Sequence, residues 1–147
     1  MNIVIGSDHA GLGLKAELGE YLESLGHQAR DLGTHTSDSC DYPEFAERVA
    51  RAVATGEADW GLLVCGTGIG MSISANKVPG VRAAVVSDTF SARMTRLHNN
   101  ANVLCLGERV VGGGLAKEIL DAWLSAEFEG GRHQRRVSKI HDIETRG

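Results

Sequence analysis

Apolar positions along this chain switch repeatedly between a strand-like and a helix-like period. Asn2–Ile5 reads as a short strand, and Leu14, Leu18, Leu22 and Leu25 then recur at helical spacing up to a stop at Gly26. Gln28–Leu32 predicts a second strand. The polar loop Gly33–Tyr42 ends at Pro43, a residue suited to the first turn of a helix. Phe45, Val49 and Val53 mark one face of that helix, which stops near Gly56. Gly61–Cys65 predicts a third strand, with a helix beginning over Met71–Asn76. Pro79-Gly80 makes a turn before a strand at Arg82–Val86, and Ser87-Asp88-Thr89 caps a helix reaching roughly to His98. Val103–Leu106 is the fifth predicted strand, followed by a helix carrying Leu115, Ile119, Leu120 and Trp123. In the tail, Val137, Ile140 and Ile143 predict an amphipathic helix that docks on this chain or on a partner.

Strands alternating with helices predict an α/β fold: a three-layer, Rossmann-like arrangement of a five-stranded parallel sheet, with a C-terminal helical tail, in one domain over residues 1–147. Ligands of such sheets sit outside the carboxyl ends of the strands, which makes the first and third loops the candidate site. The 42% hydrophobic content supports a real core. A net charge of −4 argues against a general nucleic-acid binder, yet the tail is basic. From Arg132 onward, Arg132, Arg135, Arg136, Lys139 and Arg146 face only Asp142 and Glu144, an arrangement suited to a small anion or another subunit. No signal peptide and no membrane-length apolar run is evident, and Cys40, Cys65 and Cys105 include no C-x-x-C pair. The expectation is a reduced cytoplasmic protein without a membrane partner.

The strongest motif is Trp60-Gly-Leu-Leu-Val-Cys65-Gly-Thr-Gly-Ile-Gly70. A cysteine ends a buried strand, and a glycine loop opening a helix follows at once. Such a loop aims backbone N–H groups at one spot, and the helix N-terminus favours an anion there, a thiolate included. A cysteine in this position is otherwise inert packing, which is the reading for Cys40 and Cys105. Gly66-x-Gly68-x-Gly70 misses the dinucleotide fingerprint at Met71, and the same Met71 stands where a cysteine phosphatase needs arginine. The first loop, Gly6-Ser-Asp-His-Ala-Gly11, misses that fingerprint at Asp8 and is not a P-loop at Leu12-Gly13. Asp8 reads either as a helix cap or, with His9, as a group facing the crevice. Asp31 leaves a nucleotide-binding reading open as a mimic of a ribose-binding acid.

Two further clusters carry chemistry. His98, before Asn99 and Asn100, is either a helix-end cap or an acid/base beside amide donors for a polyhydroxy ligand. Arg132 and Arg136 stand four apart, on one face of a helix, as a phosphate fork or a solvated basic face. The six histidines show no close metal-ligand spacing, so no metal site is expected.

Taken together, Gly6-Ser-Asp-His-Ala-Gly11, Cys65-Gly-Thr-Gly-Ile-Gly-Met71, Ala75-Asn-Lys-Val-Pro-Gly-Val-Arg82, His98-Asn-Asn-Ala-Asn102 and Gly130-Gly-Arg-His133 resemble the ribose-5-phosphate isomerase B family over residues 2 to about 144. The family also holds allose- and galactose-6-phosphate isomerases, and Cys65 with Met71 is similar to its cysteine branch. The resemblance implies aldose–ketose isomerisation of a sugar phosphate without a cofactor or metal. It makes Cys65 the base at C2, with Thr67 beside it, and the N–H groups of Gly66, Thr67, Gly68, Ile69 and Gly70 the holders of an enediolate oxygen. It implies that His98 opens the furanose ring and that Asp8 and His9 hold the hydroxyls or relay protons among them. Tyr42 and Asn99 join the substrate-binding set, and Arg109, Arg132 and Arg136 take the phosphate. It further implies a homodimer, or a tetramer, with sites at the subunit interface. The favoured substrate is ribose 5-phosphate; a six-carbon phosphate and a non-catalytic nucleotide-binding module are the alternatives.

Overall fold

The computed structural model describes residues Met1–Gly147. Its elements are β1 (Asn2–Ser7), a 3-10 turn (His9–Gly11), α1 (Leu12–Ser24), β2 (Gln28–Asp31), α2 (Tyr42–Ala54), β3 (Trp60–Cys65), α3 (Ile69–Ala75), β4 (Ala83–Val85), α4 (Thr89–Asn99), β5 (Val103–Gly107), α5 (Gly113–Leu124) and α6 (Arg132–Arg146). All five strands are parallel, in the order β2-β1-β3-β5-β4. The expected α/β architecture and its C-terminal helix are therefore present.

Three boundaries move for tertiary reasons. β1 runs on to Ser7 because Ser7 pairs with Val64 and exchanges backbone hydrogen bonds with Gly33 and Thr34. β5 runs on to Gly107, opposite Cys65. α3 opens at Ile69, two residues before the expected start, because Gly68 takes φ +80° and finishes the turn at once.

The central strands are buried on both faces, and alternate residues feed two cores. Ile3, Ile5, Leu62, Val64, Leu104 and Leu106 pack with Leu14, Leu18 and Leu22 of α1, Ala92 of α4 and Ile119, Leu120 and Trp123 of α5. Val4, Leu63, Cys65, Val103 and Cys105 pack with Phe45, Val49 and Ala50 of α2 and Met71 and Ala75 of α3. Fully burying one such side chain stabilises the fold by roughly 1.5–3 kcal/mol, so the three-layer arrangement follows from the period-two pattern of the strands. The chain leaves β1 toward β2 on one side and returns to β3 on the other. The order reverses between β1 and β3, and a crevice opens there beyond their carboxyl ends. No helix is long and apolar enough to cross a membrane.

Candidate active site

The crevice at this reversal has a volume of about 480 Å3 and is lined by Asp8, His9, Tyr42, Cys65, Gly66, Thr67, Ile69, Gly70 and Arg109 among others. Strand geometry carries Cys65 there as the last residue of β3, 5% exposed, and the loop then folds back over it. The N–H of Gly68 donates to Sγ of Cys65 at 3.1 Å. Gly68 lies beneath the loop rather than on the crevice wall; a Cβ there would come within 2.8 Å of the Leu106 carbonyl carbon. The N–H of Ile69 donates to Oγ1 of Thr67 at 3.3 Å. The N–H groups of Gly66, Thr67 and Gly70 remain without an intrachain acceptor beside the sulfur.

Asp8 satisfies both of its sequence readings. Its Oδ1 caps the 3-10 turn, accepting from the N–H of Ala10 at 3.0 Å and of Gly11 at 3.2 Å. Its own N–H donates to the Val64 carbonyl at 3.3 Å, which pins the first loop to β3 and the carboxylate to the crevice. Next to it, Nδ1 of His9 accepts the N–H of Cys40 at 3.2 Å, so a proton on a neutral ring sits on Nε2. Cys40 was expected to be packing alone. It does pack against the core of α2 and β3, and its Sγ also lies 3.8 Å from the same imidazole nitrogen. Tyr42 starts α2 and lays its ring against Gly70, where a Cβ would overlap the ring. Arg109 is exposed; its N–H donates to the Gly66 carbonyl at 3.0 Å and its guanidinium lies over that glycine.

The remaining candidates lie elsewhere in the chain. His98 and Asn99 end α4, which runs antiparallel to the strands and so returns to their amino ends. The length of β5 alone separates them from the level of Cys65 by roughly 13 Å. Buried Arg96 shapes this corner. It stacks 4.4 Å from Trp60 and 5.5 Å from Trp123, and its Nη1 donates to Asn100 Oδ1 at 3.1 Å and to the Ala101 carbonyl. Arg132 and Arg136 are exposed one turn apart on α6, as their spacing predicted. Val137 of the same helix is buried, whereas Ile140 and Ile143 border an open groove of about 440 Å3. A single chain thus assembles the thiol half of the predicted site and leaves His98, Asn99, Arg132 and Arg136 apart from it.

The fold also builds a group that sequence spacing had hidden. His98, Glu129 and His133 place one ligand atom each within 4.8 Å of one another. The two imidazoles are stacked, 4.1 Å between centroids and 8° from parallel. Lone pairs of parallel rings point the same way and do not converge on one ion, and Arg132 and Arg136 add positive charge, so the geometry fits a metal poorly. Burial above all, with help from these cationic neighbours, holds His133 below the usual histidine range. The signal for His133 was its place in Gly130-Gly-Arg-His133; nothing local marked Glu129. Asp31 is no ribose ligand: it accepts from the buried Lys15 ammonium at 2.9 Å and from the Gly33 N–H at 2.8 Å. Burial pushes the Cys105 thiol far up, with Cys65 adding to the effect, and Cys105 stays structural.

The chain that builds this crevice is similar to known proteins. The sequence matches the family described as Ribose/Galactose Isomerase over residues 3–140. It is 54% identical to ribose-5-phosphate isomerase B of Escherichia coli, covering 98% of this chain and 97% of that protein. It is 48% identical to D-erythrulose-4-phosphate isomerase of Pectobacterium atrosepticum, covering 95% and 93%. The fold superposes with a TM-score of 0.96 on ribose-5-phosphate isomerase B of Mycoplasma genitalium with bound ribulose-5-phosphate, 47% identical over 99% of this chain and 97% of that one. By sequence over nearly its whole length and by fold, the chain belongs to the ribose/galactose isomerase family.

Proposed function

We propose that the protein interconverts D-ribose 5-phosphate and D-ribulose 5-phosphate through an enediolate, with Cys65 as the base. The observation that carries the reading is Sγ of Cys65 held by the Gly68 N–H at the floor of a crevice that also exposes Asp8, His9 and Arg109. The thiolate removes the C2 proton of the open-chain aldose, and the thiol returns it to C1. The free N–H groups of Gly66, Thr67 and Gly70, with the Thr67 hydroxyl, stabilise the oxyanion; one such donor is worth about 3 kcal/mol in a transition state. Asp8 and His9 hold the hydroxyls, and Tyr42 closes the wall against Gly70. Arg109 takes the phosphate, whose binding energy orients the distant reacting carbon.

Ring opening and full neutralisation of the phosphate require groups that this crevice lacks. A second copy supplies them: His98 to open the furanose, Asn99 to hold the sugar, and Arg132 and Arg136 to join Arg109 on the phosphate. The support is a set of exposed apolar side chains in and beside the crevice, Ile69, Ile73 at 57%, Val85 and Val110, an area suited to burial against another subunit. The protein acts on a small sugar phosphate as a homodimer, and no step above calls on a metal or cofactor.

Proton NMR of ribose 5-phosphate with the protein in D2O tests the reading. The expected result is ribulose 5-phosphate with deuterium on carbon. No turnover of ribose 5-phosphate, with turnover of a four- or six-carbon sugar phosphate, would replace the substrate; no turnover of any would overturn the isomerase.

A further inference from the structure

Glu129 has no part in the chemistry above, yet it is built into the corner that presents His98. It lies in the segment joining α5 to α6, and its N–H donates to the Leu97 carbonyl at 3.1 Å, which ties it to the last turn of α4. Its two carboxylate oxygens divide between two rings: Oε1 is 3.6 Å from Nε2 of His98, and Oε2 is 4.0 Å from Nε2 of His133. The His133 ring is buried, and its Nε2 has no hydrogen-bond partner in the chain. The charged groups facing this ring are His98 from α4, Arg132 and Arg136 from α6, and Glu129 from the connecting segment. Glu129 is the one anion among them.

The two imidazoles lie 4.1 Å apart, so positive charge on His98 opposes charge on His133. Burial makes the His133 ring, 7% exposed, a poor host for a charge. The half-exposed Glu129 carboxylate faces both Nε2 atoms at ion-pair distance, and its charge favours ring rotations that keep those nitrogens toward it. We propose that Glu129 is a positioning residue for ring opening: it orients the stacked His98–His133 pair so that His98 can give a proton to the ring oxygen of the aldose as the C1–O bond breaks and the anomeric hydroxyl releases its own proton to water. The proposal rests on the isomerase reading and on the role of His98 within it.

The chemistry of the two substrates separates this role from a structural one. Ribose 5-phosphate is a furanose and must open before C2 can lose its proton. Ribulose 5-phosphate carries its phosphate on the oxygen that would close a ring, so it enters the reaction open. The Glu129→Gln variant is compared with the parent protein in two assays, ribose 5-phosphate turnover and uptake of deuterium at C1 of ribulose 5-phosphate. The expected result is a fall of about tenfold or more in the first, with the second within about twofold of the parent. Histidine NMR adds an independent reading, because loss of the anion moves the His133 titration further down. Equal losses in both assays, or no loss in either, would overturn the proposal. A parent protein inactive in both assays would instead overturn the isomerase reading on which it rests.

Discussion

Gly68 donates its backbone N–H to Sγ of Cys65 across 3.1 Å, so the loop that covers the proposed base also holds it. The geometry depends on a left-handed residue, φ +80°, seated against the carbonyl of Leu106. The chemistry of the site and the packing of β5 are therefore coupled through one residue without a side chain.

That coupling makes Gly68→Ala a severe change. Its methyl group would meet the Leu106 carbonyl carbon at 2.8 Å and its oxygen at 2.9 Å, and the left-handed backbone costs about 1–2 kcal/mol more for alanine. The loop must shift, so the expected outcome is a loss of roughly a hundredfold or more in kcat, with a lower Tm in thermal denaturation. Wild-type kcat in this variant would show that the N–H to sulfur contact is dispensable.

The two buried cysteines separate chemistry from packing. Cys65→Ser should abolish isomerisation by about 10^2–10^4-fold while leaving the circular dichroism spectrum intact. Cys105→Ser should do the reverse, because Cys105 is fully enclosed and its serine would bury an unpartnered hydroxyl at a cost of about 1–3 kcal/mol. Steady-state kinetics and chemical denaturation of both variants decide the assignment.

A site shared between two copies predicts complementation. Cys65→Ala and His98→Asn are each expected to be inactive as pure proteins. When equal amounts are unfolded together and refolded, each mixed dimer holds one site with an intact Cys65 and an intact His98. About one quarter of the wild-type site concentration should return, given random pairing. No recovery from a refolded mixture shown to contain mixed dimers would place all the catalytic groups within one chain.

His133 gives the fold a dependence on pH. Burial and its cationic neighbours lower its folded-state value below the ordinary 6.5, so the unfolded chain binds the proton more readily. Stability is then complete above that ordinary value and declines as pH falls through it toward the folded-state value. Thermal denaturation at pH 7.5 and 5.5 should show a smaller acid-induced drop in Tm for His133→Gln than for the parent protein. An unchanged drop would assign the pH dependence to other groups.

The sequence by itself determined the layered fold and the thiol half of the site. Periodicity reports which faces of each element are buried, and Cys65, its glycine loop, Asp8 and His9 each lie at the end of a strand whose direction the alternating pattern sets. What spacing along the chain cannot report is which distant segments meet. Asp31 could stand for a ribose ligand until the structure set it on the Lys15 ammonium, 1% exposed. Cys40 packs against the core as read, and only the fold lays its polar loop against His9 as well. Only the tertiary structure brought Glu129 to His98 and His133, because that cluster forms where α4, α6 and the segment after α5 converge. The same antiparallel course of α4 carried His98 to the far end of the sheet from Cys65, a separation fixed by the rise of a strand rather than by any residue along it.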